Sequence, residues 1–299
     1  MKQYIGIDLG GTHMRVAIVS EDGNILKEAK ITSEADMGPD HVMQRMITLI
    51  HEVKQGYDVS GIGIGFPGPI DAQTNEIIMS TNLRGFGHYP AVSMLEKEFK
   101  LPVYIDNDAN VAGLAEAMVG AGKGMHTVYY VTLSTGIGGG LIVGGNTVSG
   151  KHGHAGEIAN IIIDRNRKKI NHLNAGGVEN EASGTAIVRK GKEVFGDQIE
   201  HAGHVFKLAE EGNEKALQIV DEMSYDLAMM FSVIAHVVDP EAFIVGGGMM
   251  KSKNVFFDKV VAYFQDMVHP TMREIKFLEA ELPEPGITGA AMLPISKGN

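Results

Sequence analysis

The sequence contains no cysteine and no tryptophan. Without cysteine there is no disulfide, no thiolate metal ligand and no thiol nucleophile. Long apolar runs are also missing: none approaches the roughly 18 residues that would suggest a transmembrane helix. Positive charge is in deficit, with 26 Lys+Arg against 37 Asp+Glu and a formal net charge of −11. That balance argues against a phosphate-coated nucleic acid as the main partner. It says little about small ligands, whose sites have their own local field. The opening residues Met1-Lys2-Gln3-Tyr4 pass at once into a strand pattern, without a basic n-region or an apolar core. A secretory signal is therefore not expected, and the cytoplasm is the expected compartment, with no membrane partner. What is present is ordinary for a globular protein: 44% hydrophobic and 21% charged residues, in a chain of 299 residues that has room for two domains.

Two stretches share one design. Ile5-Gly6-Ile7-Asp8-Leu9-Gly10-Gly11-Thr12 and Val131-Thr132-Leu133-Ser134-Thr135-Gly136-Ile137-Gly138-Gly139-Gly140 each run an apolar strand into glycines and hydroxyl residues, and more strand follows. Glycine lets the backbone turn sharply and lets a phosphate approach the N–H groups. Threonine and serine add hydroxyl donors, and Asp8 adds a carboxylate able to hold Mg²⁺ through water. No Gly-Lys-Ser/Thr follows either loop, so neither is a Walker A loop. Strand rather than helix comes next, so neither is a dinucleotide fingerprint. A plain glycine turn would explain one such loop. Two of them, over a hundred residues apart, suggest a duplicated fold that holds a nucleotide triphosphate from both sides.

The rest of the chain alternates. Strands are predicted over 4–9, 14–19 and 25–31, and a helix over 41–53 from apolar residues at helical spacing. A buried strand over 61–66 stops at Pro67-Gly68-Pro69. A short helix (94–99), a strand (103–105) and a helix (111–119) follow. A second three-strand pattern starts at Thr127. The stretch 151–184 is polar and irregular; long helices then cover 214–238. A strand over 243–245 ends in Gly246-Gly247-Gly248, and a helix over 289–293 comes last. The pattern predicts mixed sheets flanked by helices. Asp108, just after a strand, sits where α/β proteins place ligands, and it reads either as a general base or as a helix cap. His152 with His154, and His201 with His204, read as loop and surface histidines because no acidic or thiol pattern completes a metal set.

Asp8-Leu9-Gly10-Gly11-Thr12, Gly65-Phe66-Pro67-Gly68-Pro69, Asn107-Asp108-Ala109-Asn110, the 134–140 loop, Ala155-Gly156-Glu157 and Gly246-Gly247-Gly248 occur in that order. Through them the chain resembles the ROK family (repressors, open reading frames and kinases) over nearly its whole length. The resemblance implies an α/β fold of two actin-like (ribonuclease H-like) domains, each of duplicated βββαβα type, around a central cleft. The domains are expected at 1–118, joined by a returning helix at about 287–299, and at 119–286. It implies ATP with Mg²⁺ and phosphorylation of a hexose hydroxyl. Asp108 takes the role of catalytic base, and Asn107, Gly68, Asn82, Glu157, Asn160 and Glu179 those of sugar binding, with Glu181 as the alternative to Glu179. Asp8, Gly10, Gly11, Thr12, Thr135, Gly136, Gly138, Gly246, Gly247 and Gly248 line the nucleotide. Asp106 is read as structural.

Many members of that family bind zinc through a histidine three residues after the Ala-Gly-Glu glutamate and three cysteines. Here the histidine position holds Asn160, and the cysteine stretch reads His172-Leu173-Asn174-Ala175-Gly176-Gly177-Val178-Glu179. Zinc needs about four ligands, so no structural zinc is expected and the loop should be held by packing and hydrogen bonds. The resemblance favours a kinase for the 6-hydroxyl of a D-allose or glucose-type hexose. N-acetylmannosamine, fructose and a β-glucoside stay open, as does a sugar-responsive regulator lacking its DNA-binding domain. D-allose is suggested by His13-Met14-Arg15 and by the stretch 77–83. A homodimer is the family habit. Hinge motion is expected at Gly120-Ala121-Gly122-Lys123-Gly124 and at Gly289-Ala290-Ala291.

Overall fold

The computed structural model describes residues 1–80 and 83–298, so Asn82 lies outside the described residues. The chain opens with β1 (Gln3–Leu9), β2 (His13–Ser20) and β3 (Ile25–Thr32), an antiparallel meander. Helix α1 (Pro39–Lys54) buries Val42, Met46, Ile50 and Val53 of the predicted stripe and adds Met43 and Leu49, while Ile47, also expected there, is only half-buried. Then come β4 (Ile62–Phe66) and the small hairpin β5 (Ile70–Asp71) and β6 (Glu76–Ile77). Helix α2 (Ala91–Phe99), β7 (Val103–Asn107) and α3 (Asp108–Val119) complete the first half. The second begins with β8 (Thr127–Leu133), β9 (Ile137–Val143) and β10 (Asn146–Thr147). Helices α4 (Val178–Ala182), α5 (Gly184–Phe195), α6 (Ala202–Glu210) and α7 (Glu214–Val238) follow. The chain closes with β11 (Ala242–Gly246), α8 (Lys253–Met267), β12 (Lys276–Glu279) and α9 (Pro285–Lys297).

The two large sheets have matching strand orders, β3-β2-β1-β4-β7 and β10-β9-β8-β11-β12. In the first, β4 lies parallel to β1 and β7 parallel to β4. In the second, β12 lies parallel to β11. Each sheet is thus a three-strand meander extended by later strands on its first-strand edge, the duplicated α/β plan that the two glycine loops suggested.

The chain divides into two compact units. Unit 1 holds Met1–Tyr130, Gly140–Gly156 and the chain from Ala280 onward; unit 2 holds Val131–Gly139 and Glu157–Glu279. In unit 1, α9 lies directly on the sheet. A Cβ on Gly6 of β1 would stand 2.2 Å from the Ile287 carbonyl oxygen, and one on Gly63 of β4 1.8 Å from that of Ala290. The side-chain-free positions let a helix backbone sit against strand backbone. In unit 2, Phe231, Phe243, Phe264 and Phe277 pack ring to ring, with centroids 4.9–6.0 Å apart.

Neither expected hinge is a joint between these units. Gly289 is a helix-crossing point inside unit 1, where an added Cβ would meet the Val111 carbonyl oxygen at 1.6 Å. The 120–124 turn is tied down by the buried Glu116, whose carboxylate accepts the N–H groups of Ala121, Glu281 and Leu282.

Candidate active site

In unit 1 the first glycine loop is a closed hairpin tip. The Gly10 N–H donates to the His13 carbonyl at 2.9 Å, and Ser33 Oγ donates to the Gly10 carbonyl at 2.6 Å. Gly11 and the exposed Thr12 form the tip itself. Asp8 stands opposite Arg15 across the β1–β2 pair, so both side chains share one face. Burial pushes the Asp8 carboxyl up; Arg15 pulls it back, and Glu284 adds to the rise. Arg15 is itself held by Glu284 and by Glu28, the latter at 2.9 Å.

Three successive residues at the end of β7 have three environments. Asp106 is buried, accepting from Asn110 Nδ2 (2.8 Å), Thr147 Oγ1 (2.6 Å) and Lys297 Nζ (2.8 Å). It has the structural position expected of it. Asn107 is the N-cap of α3: its Oδ1 accepts the Ala109 N–H at 2.9 Å, which frees its amide to donate to the Gly68 carbonyl at 3.3 Å. Asp108 is exposed at the first helical position, one carboxylate oxygen accepting the Ala109 N–H at 2.8 Å. The cap is therefore Asn107, and Asp108 projects beyond it. Gly68 has no room for a side chain, since a Cβ would lie 2.4 Å from the Met79 carbonyl oxygen.

Unit 2 carries the second loop. The Ser134 N–H donates to the Gly136 carbonyl at 2.9 Å, closing the turn, and Gly138 lies on β9 beyond it. The start of α5 is bonded onto the loop: the Gly184 N–H donates to Ser134 (2.8 Å) and Thr185 Oγ1 to the Thr135 carbonyl (2.9 Å). Glu179 turns its carboxylate to the same loop, accepting the Ile137 N–H at 2.8 Å; Gly136 leaves space for it. Glu181, the alternative to Glu179, is instead buried in ion pairs with Arg167 and Lys190.

Beside the loop is a cavity of about 590 Å³ walled by Ser134, Thr135, Thr185, Phe206, Gly248 and Lys251, among others. Gly246 ends β11; Gly247 has φ 94°, a left-handed conformation, and an added Cβ there would stand 2.3 Å from the Leu133 carbonyl oxygen. Gly248 faces open space, where a Cβ would meet no atom within 4 Å. The lining combines apolar Phe206 and Met249 with the hydroxyl residues Ser134, Thr135 and Thr185 and with Lys251, a mixture of the kind that small-molecule sites use.

Several of these residues were not singled out in the sequence. Lys251 was missed although it follows the glycine triplet closely. His201 is exposed, as a surface histidine should be, and it also lines the cavity, its ring tilted 41° against that of His204 with centroids 3.9 Å apart. Their i, i+3 spacing at the start of α6 was the available signal.

Glu157 precedes the one-turn helix Ile158–Asn160 and Asn160 ends it; both are exposed. The Asn160 side-chain oxygen accepts the Asn174 N–H at 2.7 Å, and Asn171 Oδ1 accepts from Asn180 Nδ2 at 2.9 Å. Among the described residues no three His, Asp or Glu side chains are grouped to hold a metal, and no helix is long and apolar enough to cross a membrane.

A family model described as the ROK family matches residues 4–297. A glucokinase from Thermotoga maritima is 32% identical over 308 residues, covering 97% of this chain and 96% of that protein. A ROK hexokinase from Thermus thermophilus superposes with a TM-score of 0.87 at 26% identity, covering 97% of each chain. A ROK family glucokinase from Streptomyces griseus, solved with glucose and AMPPNP, gives a TM-score of 0.78 at 27% identity, over 99% of this chain and 100% of that one. With matching motifs, matching sheet orders and a match running from end to end, the chain belongs to the ROK family and has its actin-like α/β fold.

Proposed function

We propose that the chain is an ATP-dependent sugar kinase acting on the 6-hydroxyl of a glucose-type hexose. The observation that carries this is the pairing at the end of β7: Asn107 takes the capping duty, and Asp108 is left as an exposed carboxylate next to it. A sugar hydroxyl is a poor nucleophile at neutral pH and needs a base within hydrogen-bond reach. Asp108 accepts the proton that leaves the attacking hydroxyl. Asn107, Gly68, Glu157, Asn160 and Glu179 orient the sugar. The N–H groups and hydroxyls of the two glycine loops hold phosphates, and Gly246–Gly248 with the adjoining cavity holds the base and ribose. ATP, when bound, would supply the phosphoryl group, and Asp8 is the carboxylate that would hold its Mg²⁺ through water.

Glucose is favoured because the similar proteins include named glucokinases and a glucokinase structure that contains glucose. D-allose rests on a shorter local similarity. The test is a panel of glucose, allose, N-acetylmannosamine, fructose and a β-glucoside with ATP, followed by coupled ADP release, with the phosphorylated carbon identified by NMR. Glucose should give the highest kcat/KM and a 6-phosphate. ADP release no faster than the sugar-free blank for every sugar would sink the assignment.

A further inference from the structure

Arg167 sits in the turn after Asp164, midway along the segment that runs from Asn160 to Glu179. Its guanidinium donates two hydrogen bonds to the carboxylate of Asp226 on α7, at 2.6 and 2.7 Å. The same group lies 3.1 Å from Glu181 on α4, and Lys190 on α5 lies 3.4 Å from that glutamate. Asp226 and Glu181 are both buried. Burial raises the Asp226 carboxyl, and Arg167 opposes the rise.

Two buried carboxylates thus face two cations, the condition under which buried charge is tolerated. The fork is planar and bidentate, so it fixes direction as well as distance. The segment is closed on itself at its base. The Ile163 N–H donates to Gly176 and the Val178 N–H to Ile161, each at 2.9 Å. Glu157 and Asn160 lie just before this closure, and Glu179 just after it. Arg167 fastens the closed segment to α7 and, together with the Asn171–Asn180 hydrogen bond, to α4.

We propose that Arg167 is a positioning residue for the sugar: through Asp226 and Glu181 it fixes the segment that presents Glu157, Asn160 and Glu179, and so sets hexose affinity. The proposal rests on the kinase reading above. Arg167 itself is engaged by carboxylates and acts through its neighbours. A purely structural ion pair would change stability alone; a positioning pair also changes sugar affinity when stability has been restored.

The experiment compares wild type, Arg167→Met and the double variant Arg167→Met/Asp226→Leu. Sugar KM and kcat, calorimetric sugar binding, ADP binding and melting temperature are measured on each. Arg167→Met should raise sugar KM about tenfold to a hundredfold, with kcat at saturating sugar and ADP binding close to wild type. It should also melt earlier, because Asp226 is left unpaired. The double variant removes that unpaired charge and should recover the melting temperature while keeping the raised KM. If Arg167→Met does not fold, the double variant decides alone. Wild-type KM in either variant overturns the proposal and leaves the kinase reading intact. A wild-type chain that phosphorylates no hexose overturns both.

Discussion

The ammonium of Lys297 on α9 lies 2.8 Å from the carboxylate of Asp106, which is only 1% exposed. Burial alone would raise this carboxyl. The charge and hydrogen bond of Lys297, with hydrogen bonds from Thr147 and Asn110, outweigh it and hold the group below the usual carboxylate range. A carboxyl held low in the folded state stabilises the fold above its unfolded value, about 3.9, and that stability is lost as pH falls through the folded value. Lys297→Met should therefore cost about 3 kcal/mol near neutral pH. The gap between variant and wild type should narrow below about pH 4. Urea unfolding across that range measures it; a gap constant down to acid pH would exclude the pairing as its source.

Asp108→Asn should abolish turnover while sugar binding survives. The amide keeps the shape but takes no proton, and loss of a general base costs on the order of 10²–10⁴ in rate. Asp108 is exposed, so the melting temperature should not move. A variant with a tenth of the wild-type kcat refutes the role.

The purified protein should carry no stoichiometric zinc, and chelators should leave its melting temperature unchanged. The Asn174 N–H donates to the Asn160 side-chain oxygen at 2.7 Å, so a hydrogen bond within the chain closes this loop. Elemental analysis giving about one zinc per chain would redirect attention to His152, His154 and His172.

Gly289→Ala should destabilise the protein by about 1–3 kcal/mol. The added methyl would meet the Val111 carbonyl oxygen, a backbone atom that no rotamer change can move aside. An unchanged urea midpoint would show that α3 and α9 separate more easily than their packing suggests.

The regular elements were legible because their periodicity is local. The stripe of α1 and the limits of α7 could be read directly, since each depends on residues a few positions apart. So was the order of the glycine loops. What could not be read depends on partners distant in sequence. Arg167 meets Asp226 59 positions away, and nothing near either residue announces the pair. His201 is at the surface as read, but its place on a cavity wall could not be seen because Gly248 and Lys251, which complete that cavity, belong to another element. Gly289 looked like a hinge because glycine permits both bending and close packing, and only the position of Val111 decides between them.

The seat of α9 on the first sheet also fixes an order of events during synthesis. Strands β1 and β4 leave the ribosome with Gly6 and Gly63 bare, and the backbone that covers them belongs to Ile287 and Ala290. At roughly 5–20 residues per second, the first sheet waits tens of seconds for its cover. Every residue of unit 2 is made before α9. The half of the protein written first is thus finished last. During that interval an open apolar sheet is the surface on which a chaperone, or another nascent chain, would act.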